Sequence, residues 1–204
     1  MGAGVMVQSV EMLAGGKRRL VLDNGEVWIL YRGEVHKLEL VEGTVLSAGQ
    51  YETIRTELLG KRVKKRAMHL LERMDRTEAQ LRRKLTEGEY PPDLIEAAID
   101  YVRSYHYVDD ARYADCYVHL HGGTKSRGRL LMELQNKGVD REVAEQVLAS
   151  GDDERDEPAM IQSLLEKRRY DPQEASPQEK RRMYGYLMRR GFRSSDVCRA
   201  LESR

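Results

Sequence analysis

Cysteine is scarce in this sequence. Cys116 and Cys198 are its only two in 204 residues, too few and too far apart for a disulfide framework, and no Cys-x-x-Cys pair is present to start a structural zinc site. Charge of one sign is also missing. Thirty-five lysines and arginines nearly cancel 34 aspartates and glutamates, so net charge by itself makes no case for nucleic acid or for an acidic membrane. No apolar run approaches the eighteen or so residues of a membrane span, and the first thirteen residues carry Glu11 and no basic residue, unlike a secretory signal. Glycine-rich phosphate loops, a nucleophile elbow and paired catalytic carboxylates with a partner base are absent as well, which disfavours an enzyme. These absences leave a reducing cytoplasm and a non-catalytic role as the expectation, with no cofactor and no metal.

A hydrophobic content of 40% is enough to supply a folded core. From Val5 to Tyr31 the letters are β-like: Val5, Val7 and Val10 lead in, then Leu20-Val21-Leu22, Asn24-Gly25, and Val27-Trp28-Ile29-Leu30. Asn-Gly between two apolar runs predicts a hairpin, because both residues accept positive φ. Residues 32–46 suit either a strand, through Val35, Leu38 and Leu40, or a short helix, through Leu38 and Val41. Ser47 with Gln50 forms a capping box ahead of Tyr51, Ile54 and Leu58 at helical spacing.

Beyond Gly60 the apolar residues recur at three and four, as in Ala67, Leu70, Leu71 and Met74, and the rest of the chain reads as helix. Thr77 with Gln80 caps one helix, carrying Leu81 and Leu85; Pro91-Pro92 opens another, carrying Leu94, Ile95, Ala98, Ile99 and Val102. This three-helix unit repeats. Adding 49 maps Leu81, Leu85, Tyr90, Leu94, Ile95, Ala98 and Ile99 onto Leu130, Leu134, Val139, Val143, Ala144, Val147 and Leu148. Adding 53 more reaches Met183, Leu187, Phe192, Asp196, Val197, Ala200 and Leu201, with Asp196 the single polar break. Gly138 and Gly191 fall where a left-handed residue ends the middle helix, and Ser176-Pro177-Gln178-Glu179 gives an N-cap, an N1 proline and an N3 glutamate in order. The predicted organisation is a mostly α chain: a small β-hairpin-containing region with a short helix over 1–60, then three-helix repeats over 61–108, 109–151 and 152–204. Residues 152–157 read as an exposed acidic connection and 169–175 as a longer loop. Units this small bury their apolar faces by stacking, so an elongated array is expected.

The letters also resemble a known bacterial family. Arg76-Thr77-Glu78-Ala79-Gln80-Leu81 with Lys84-Leu85, Tyr107-Val108-Asp109-Asp110-Ala111-Arg112-Tyr113-Ala114, and Glu133-Leu134-Gln135-Asn136-Lys137-Gly138-Val139 are similar to segments of the RecX family, strongly over residues 64–148. The outer regions match in layout and length. One departure is that family members often place glycine then proline at the start of the second unit's middle helix, where this chain has Ser126-Arg127-Gly128. The resemblance implies a non-enzymatic monomer that binds the RecA recombinase filament along its groove and limits its growth, ATP hydrolysis and strand exchange. The alternative is a helical protein that binds single- or double-stranded DNA directly, since three-helix units resemble helix-turn-helix modules.

Charge patterning, read independently of the family, supplies candidate contacts. With Leu130 and Leu134 facing inward, Arg129 points outward; similar sides carry Arg182 and Arg189 in the third unit and Arg83 with Lys84 in the first. Lys137 and Arg190 complete the candidate set for RecA or DNA. Residues 180–193 hold six basic residues and no acid, 61–84 hold ten against three, and 88–110 hold six acids and one arginine. A nearly neutral chain can therefore present a basic stripe, although a solvated charged face is the ordinary reading. Other signals have plainer explanations. Cys116, His119, His121 and His106 are badly spaced for zinc, because residues two apart on a helix face away from each other; Cys116 and Cys198 read as small buried residues. Asp109 and Asp110 read as an N-cap and a first-turn acid rather than a metal pair. Eleven tyrosines against one phenylalanine, with Tyr101/Tyr105 and Tyr113/Tyr117 at i, i+4, could stack on bases but more simply pack between units with hydroxyls at the rim.

Overall fold

The computed structural model describes residues 4–150 and 156–202. The chain divides into two compact units, Met1–Val108 and Asp109–Arg204. No helix among the described residues is long and apolar enough to cross a membrane.

The first unit opens with β1 (Val5–Met12), β2 (Lys17–Leu22) and β3 (Val27–Tyr31), joined later by the short β4 (Val45–Leu46) in an antiparallel sheet ordered β3-β2-β1-β4. The predicted hairpin joins β2 to β3 with Leu20 opposite Trp28. Its turn differs from the expected two-residue form. Only Gly25 takes positive φ, at 84°, and its N–H donates to the Leu22 carbonyl at 3.0 Å. Asp23 and Asn24 thus make an ordinary turn that the left-handed glycine closes. The ambiguous 32–46 segment forms helix α1 (Arg32–Lys37), started by Glu34 accepting from the Tyr31 N–H at 2.7 Å, and then β4; Val35, read as a strand residue, is helical, while Leu38, Leu40 and Val41 lie in the turn between the two elements and belong to neither.

Ser47 caps α2 (Ala48–Glu52) with Gln50 reaching back, as the capping box requires. The helix does not stop there. It continues through π-type turns over Thr53–Gly60 into α3 (Lys61–Arg73), with buried Gly60 at helical φ and ψ. Thr77 then caps α4 (Glu78–Thr86), and Pro92 opens α5 (Pro92–Ser104). The sheet and the first repeat share one hydrophobic core. Val7, Leu20, Leu22, Trp28 and Leu30 from the strands join Leu59, Val63, Leu81, Leu85, Ile99 and Val102 from the helices, all at most 1% exposed.

The second unit holds α6 (Asp110–His121), α7 (Arg127–Asn136), α8 (Arg141–Ser150), α9 (Glu157–Lys167), α10 (Pro177–Met188) and α11 (Ser194–Glu202). Asp109 caps α6 by accepting from the Arg112 N–H at 2.9 Å, the capping role predicted for it. Ser126 caps α7 despite the departure from the family's glycine and proline, and Ser176 with Glu179 caps α10. Of the acidic connection, only Asp156 and Glu157 fall among the described residues; they start α9.

Most repeat positions are core positions, with Tyr90, Val147 and Met183 half-buried at the core's edge. Leu81 and Leu130 are fully buried, as are Leu85, Leu134 and Leu187; Val139 and Phe192 match at 3% and 1% exposure. Ile95, Ala144 and Val197 are buried, and so are Ile99, Leu148 and Leu201. Mostly α architecture with three tandem three-helix repeats after a small antiparallel sheet follows directly. Asp196 breaks the pattern at a rim position, half-buried beside Arg199 at 3.7 Å, where its counterpart Val143 is also only half-buried. One expectation fails: Cys116 and Cys198 are both exposed. Cys116 lies two residues from buried Ala114 and Val118, which turns it to the opposite side of α6, and Cys198 sits beside rather than among Val197, Ala200 and Leu201.

Candidate functional site

In the second repeat the cations gather around one carboxylate. The Tyr117 hydroxyl on α6 donates to Glu133 Oε2 on α7 at 2.7 Å, Lys125 Nζ donates to the same oxygen at 2.6 Å, and Arg129 Nε donates to Oε1 at 2.8 Å. Lys137 and Lys125 place their ammonium groups 5.0 and 5.5 Å from the centre of the Tyr117 ring, and His121 packs against that ring at 4.3 Å. Partial burial pushes the Glu133 carboxyl upward, but the hydrogen bonds from Lys125, Tyr117 and Arg129 outweigh it and hold its pKa at about 2. His121 is pushed below its ordinary value by burial and then by the Lys125 charge. One carboxylate thus fixes the rotamers of two cations and a tyrosine, which keeps positive charge in a set position instead of on free side chains.

Within the same compact unit, the start of α7 meets the end of α10. The Ser126 N–H donates to the Arg190 carbonyl at 3.0 Å and its Oγ to the Gly191 carbonyl at 2.8 Å, while Oγ also accepts from the Arg129 N–H at 3.2 Å. Gly191 is required twice over here. Its φ of 83° disfavours a side chain, and a Cβ would stand 2.7 Å from both Arg129 Cβ and Ser126 Oγ. The contact brings Arg129 and Arg190 to one junction between repeats 2 and 3. Arg190 packs its guanidinium 3.8 Å from the centre of the Tyr186 ring. Arg182 and Arg189, both exposed, lie instead along a cleft beside α10.

In the first compact unit, Arg83 is exposed on α4 and Lys84 is half-buried, donating to Glu87 at 2.7 Å. Lys84 lines a second cleft with Arg62, Arg66, Tyr31 and Tyr90 at the seam of sheet and helices. Arg62 is held there by Glu34, by the Ile29 carbonyl at 2.9 Å and by the Tyr31 ring at 4.9 Å. Sequence reasoning missed Arg62, Lys125 and Glu133 as members of these clusters: the partners of Arg62 and Lys125 lie eight or more positions away, whereas Glu133 stands at i, i+4 from Arg129, a local spacing that could have found it. Tyr101, Tyr113 and Tyr117 pack against the cores, whereas Tyr105 and Tyr107 stack at 5.8 Å and are 57% and 48% exposed. Each of these clusters, taken by itself, holds cations in place beside tyrosine rings or carboxylates.

Family models described as the first, second and third three-helix domains of RecX match residues 64–101, 109–148 and 155–201. Regulatory protein RecX of Trichlorobacter lovleyi is 36% identical over 139 residues, covering 66% of this chain and 90% of that one. Regulatory protein RecX of Caldanaerobacter subterraneus subsp. tengcongensis is 30% identical over 165 residues, 80% of this chain and 81% of that one. A crystal structure of a regulatory protein RecX aligns with a TM-score of 0.61 at 22% identity, over 98% of this chain and 100% of that chain, a likeness of fold.

Proposed function

The chain belongs to the RecX family of regulatory proteins, and from that membership we propose that it binds the RecA nucleoprotein filament and limits its growth, ATP hydrolysis and strand exchange, catalysing no reaction of its own. It acts as a cytoplasmic monomer in DNA repair by homologous recombination. The contacts are made by Arg83 and Lys84 in the first repeat, Arg129 and Lys137 in the second, and Arg182, Arg189 and Arg190 in the third.

The observation that carries this reading is repetition. Each repeat buries the positions of Leu85, Ile95 and Ile99 and presents cations on or just after its middle helix. A filament offers the same surface at regular intervals, and a chain of repeated units meets such a ligand with the same chemistry each time. Much of the binding free energy then comes from cations against an anionic surface, so affinity falls as salt rises.

Fluorescence anisotropy with labelled single-stranded DNA, bare and RecA-coated, at physiological salt tests the reading. Tighter binding to the coated strand is expected. Equal or tighter binding to bare DNA would replace the reading with the direct DNA-binding alternative.

A further inference from the structure

Beside α10 lies a cleft of about 680 Å³, within the range of small-molecule sites. Arg168 and Arg169 from the turn after α9, Arg181 and Arg182 from α10, and Arg189 at its C-terminal cap supply five guanidiniums to its lining. Three carboxylates share it, and two of these are already engaged. Glu179 accepts from the Ser176 N–H and hydroxyl at 2.8 and 2.7 Å, and Asp171 accepts from the Gln173 N–H at 2.8 Å. Most of the open hydrogen-bonding capacity therefore belongs to cations.

Two further features shape how the lining presents its charge. Arg168, which lines the cleft, holds its guanidinium 4.2 Å from the centre of the Tyr186 ring, so an aromatic face that is itself part of the lining keeps that cation in place. The second feature is Gly185. Glycine is a poor helix former, yet it stands in the interior of α10. A Cβ there would come within 3.3 Å of Arg189 Nη1, so the missing side chain lets that guanidinium lie back across the helix at the cleft.

The geometry points to an oligophosphate-binding site in the third repeat, taking a phosphate chain either free or as the backbone of a nucleic-acid strand. Arginine forks match phosphate oxygens in pairs. Guanidiniums already occupy the Tyr186 ring, so the site reads charge and leaves bases unstacked. Arg182 and Arg189 are about 10 Å apart along the helix, a spacing that meets successive anions of a chain better than one isolated ion. This inference rests on reading Arg182 and Arg189 as partner-contacting cations, and narrows what they contact. Inorganic tripolyphosphate, which contains no filament, separates its failure from the failure of that reading.

Titration calorimetry of the full chain with tripolyphosphate, a short oligothymidylate and polyglutamate, all at physiological salt, tests it. Tripolyphosphate and oligothymidylate are expected to compete for one site and polyglutamate to bind far more weakly; binding of oligothymidylate alone assigns the phosphate to a strand. Arg182→Gln and Arg189→Gln should each weaken binding about tenfold, the size of one charge-assisted hydrogen bond. Gly185→Ala is the control: it favours the helix and asks the Arg189 guanidinium to shift by only a few tenths of an ångström, so affinity should hold with the melting temperature unchanged or raised. Polyglutamate binding as tightly as tripolyphosphate, no binding by either phosphate ligand, or unaltered affinity in both Arg182→Gln and Arg189→Gln overturns the proposal.

Discussion

The turn that ends the middle helix is built alike in all three repeats and is used differently in the two compact units. Glu89, Gly138 and Gly191 stand at matching positions and all take positive φ, at 54°, 90° and 83°. In the first repeat the residue keeps a side chain, and Glu89 pairs with Arg19 on β2 at 2.8 Å, a link to the sheet. In the third it can keep none, because repeat 2 presses Ser126 and Arg129 against it. The first repeat is anchored by apolar burial against the sheet, with an exposed ion pair at the margin. The third is anchored to the second through a glycine and a few hydrogen bonds. A left-handed position therefore marks the turn, and the partner packed on it decides whether glycine is obligatory.

Four substitutions break or sharpen that contrast. Trp28→Ala should have the largest effect, about 4 kcal/mol, because it empties a fully buried site in the core shared by sheet and first repeat. Urea denaturation followed by circular dichroism measures it, and loss of the sheet should carry the first repeat with it. Gly191→Ala should cost about 3 kcal/mol, combining backbone strain with a close contact to repeat 2. If it costs no more than Gly25→Ala, where φ is 84° and no atom lies within 4 Å of the added Cβ, the close contact carries no energy.

Glu133→Gln should cost about 1–2 kcal/mol at neutral pH, from its charge-assisted hydrogen bonds. Its pH dependence follows from the direction of the shift. The carboxyl titrates at about 2 in the folded chain against an ordinary 4.5, so its contribution is complete above pH 4.5 and is lost as pH falls from there toward 2. Acid titration of stability should therefore show a shallower loss in the variant over that window. At the small end, Glu89→Ala should change stability by about 0.5 kcal/mol, since it removes one exposed ion pair and leaves φ as it was. A cost as large as that of Gly191→Ala would erase the distinction between the two anchors.

Much of this fold is legible in the sequence because repetition tests every position three times. Leu85, Leu134 and Leu187 must all be apolar if each packs the same core, and Ser47, Thr77, Asp109 and Ser176 announce helix starts by side chains that reach only three residues. The left-handed turns at Glu89, His106 and Arg169 are not legible, because no glycine marks them. The helix running through Gly60 is hidden for the opposite reason: a glycine that reads as a break is buried and helical. Long-range packing is the larger gap. Nothing local says that Trp28 shares a core with Leu81, or that Tyr117 and Lys125 join Arg129 on Glu133. The candidate cations are visible as charges, and the short-range partners of Arg129 and Lys84 are within reach of helix spacing, but the groups brought in from other elements are not.

The most direct test of the central claim reverses exposed cations in both compact units. In Arg83→Glu/Arg182→Glu/Arg189→Glu, binding to RecA-coated single-stranded DNA is measured as a function of salt after confirming an unchanged circular dichroism spectrum. The account predicts a large loss of affinity and a shallower dependence on salt, because fewer counterions are released when fewer cations engage. Affinity and salt dependence equal to those of the unsubstituted chain would contradict it.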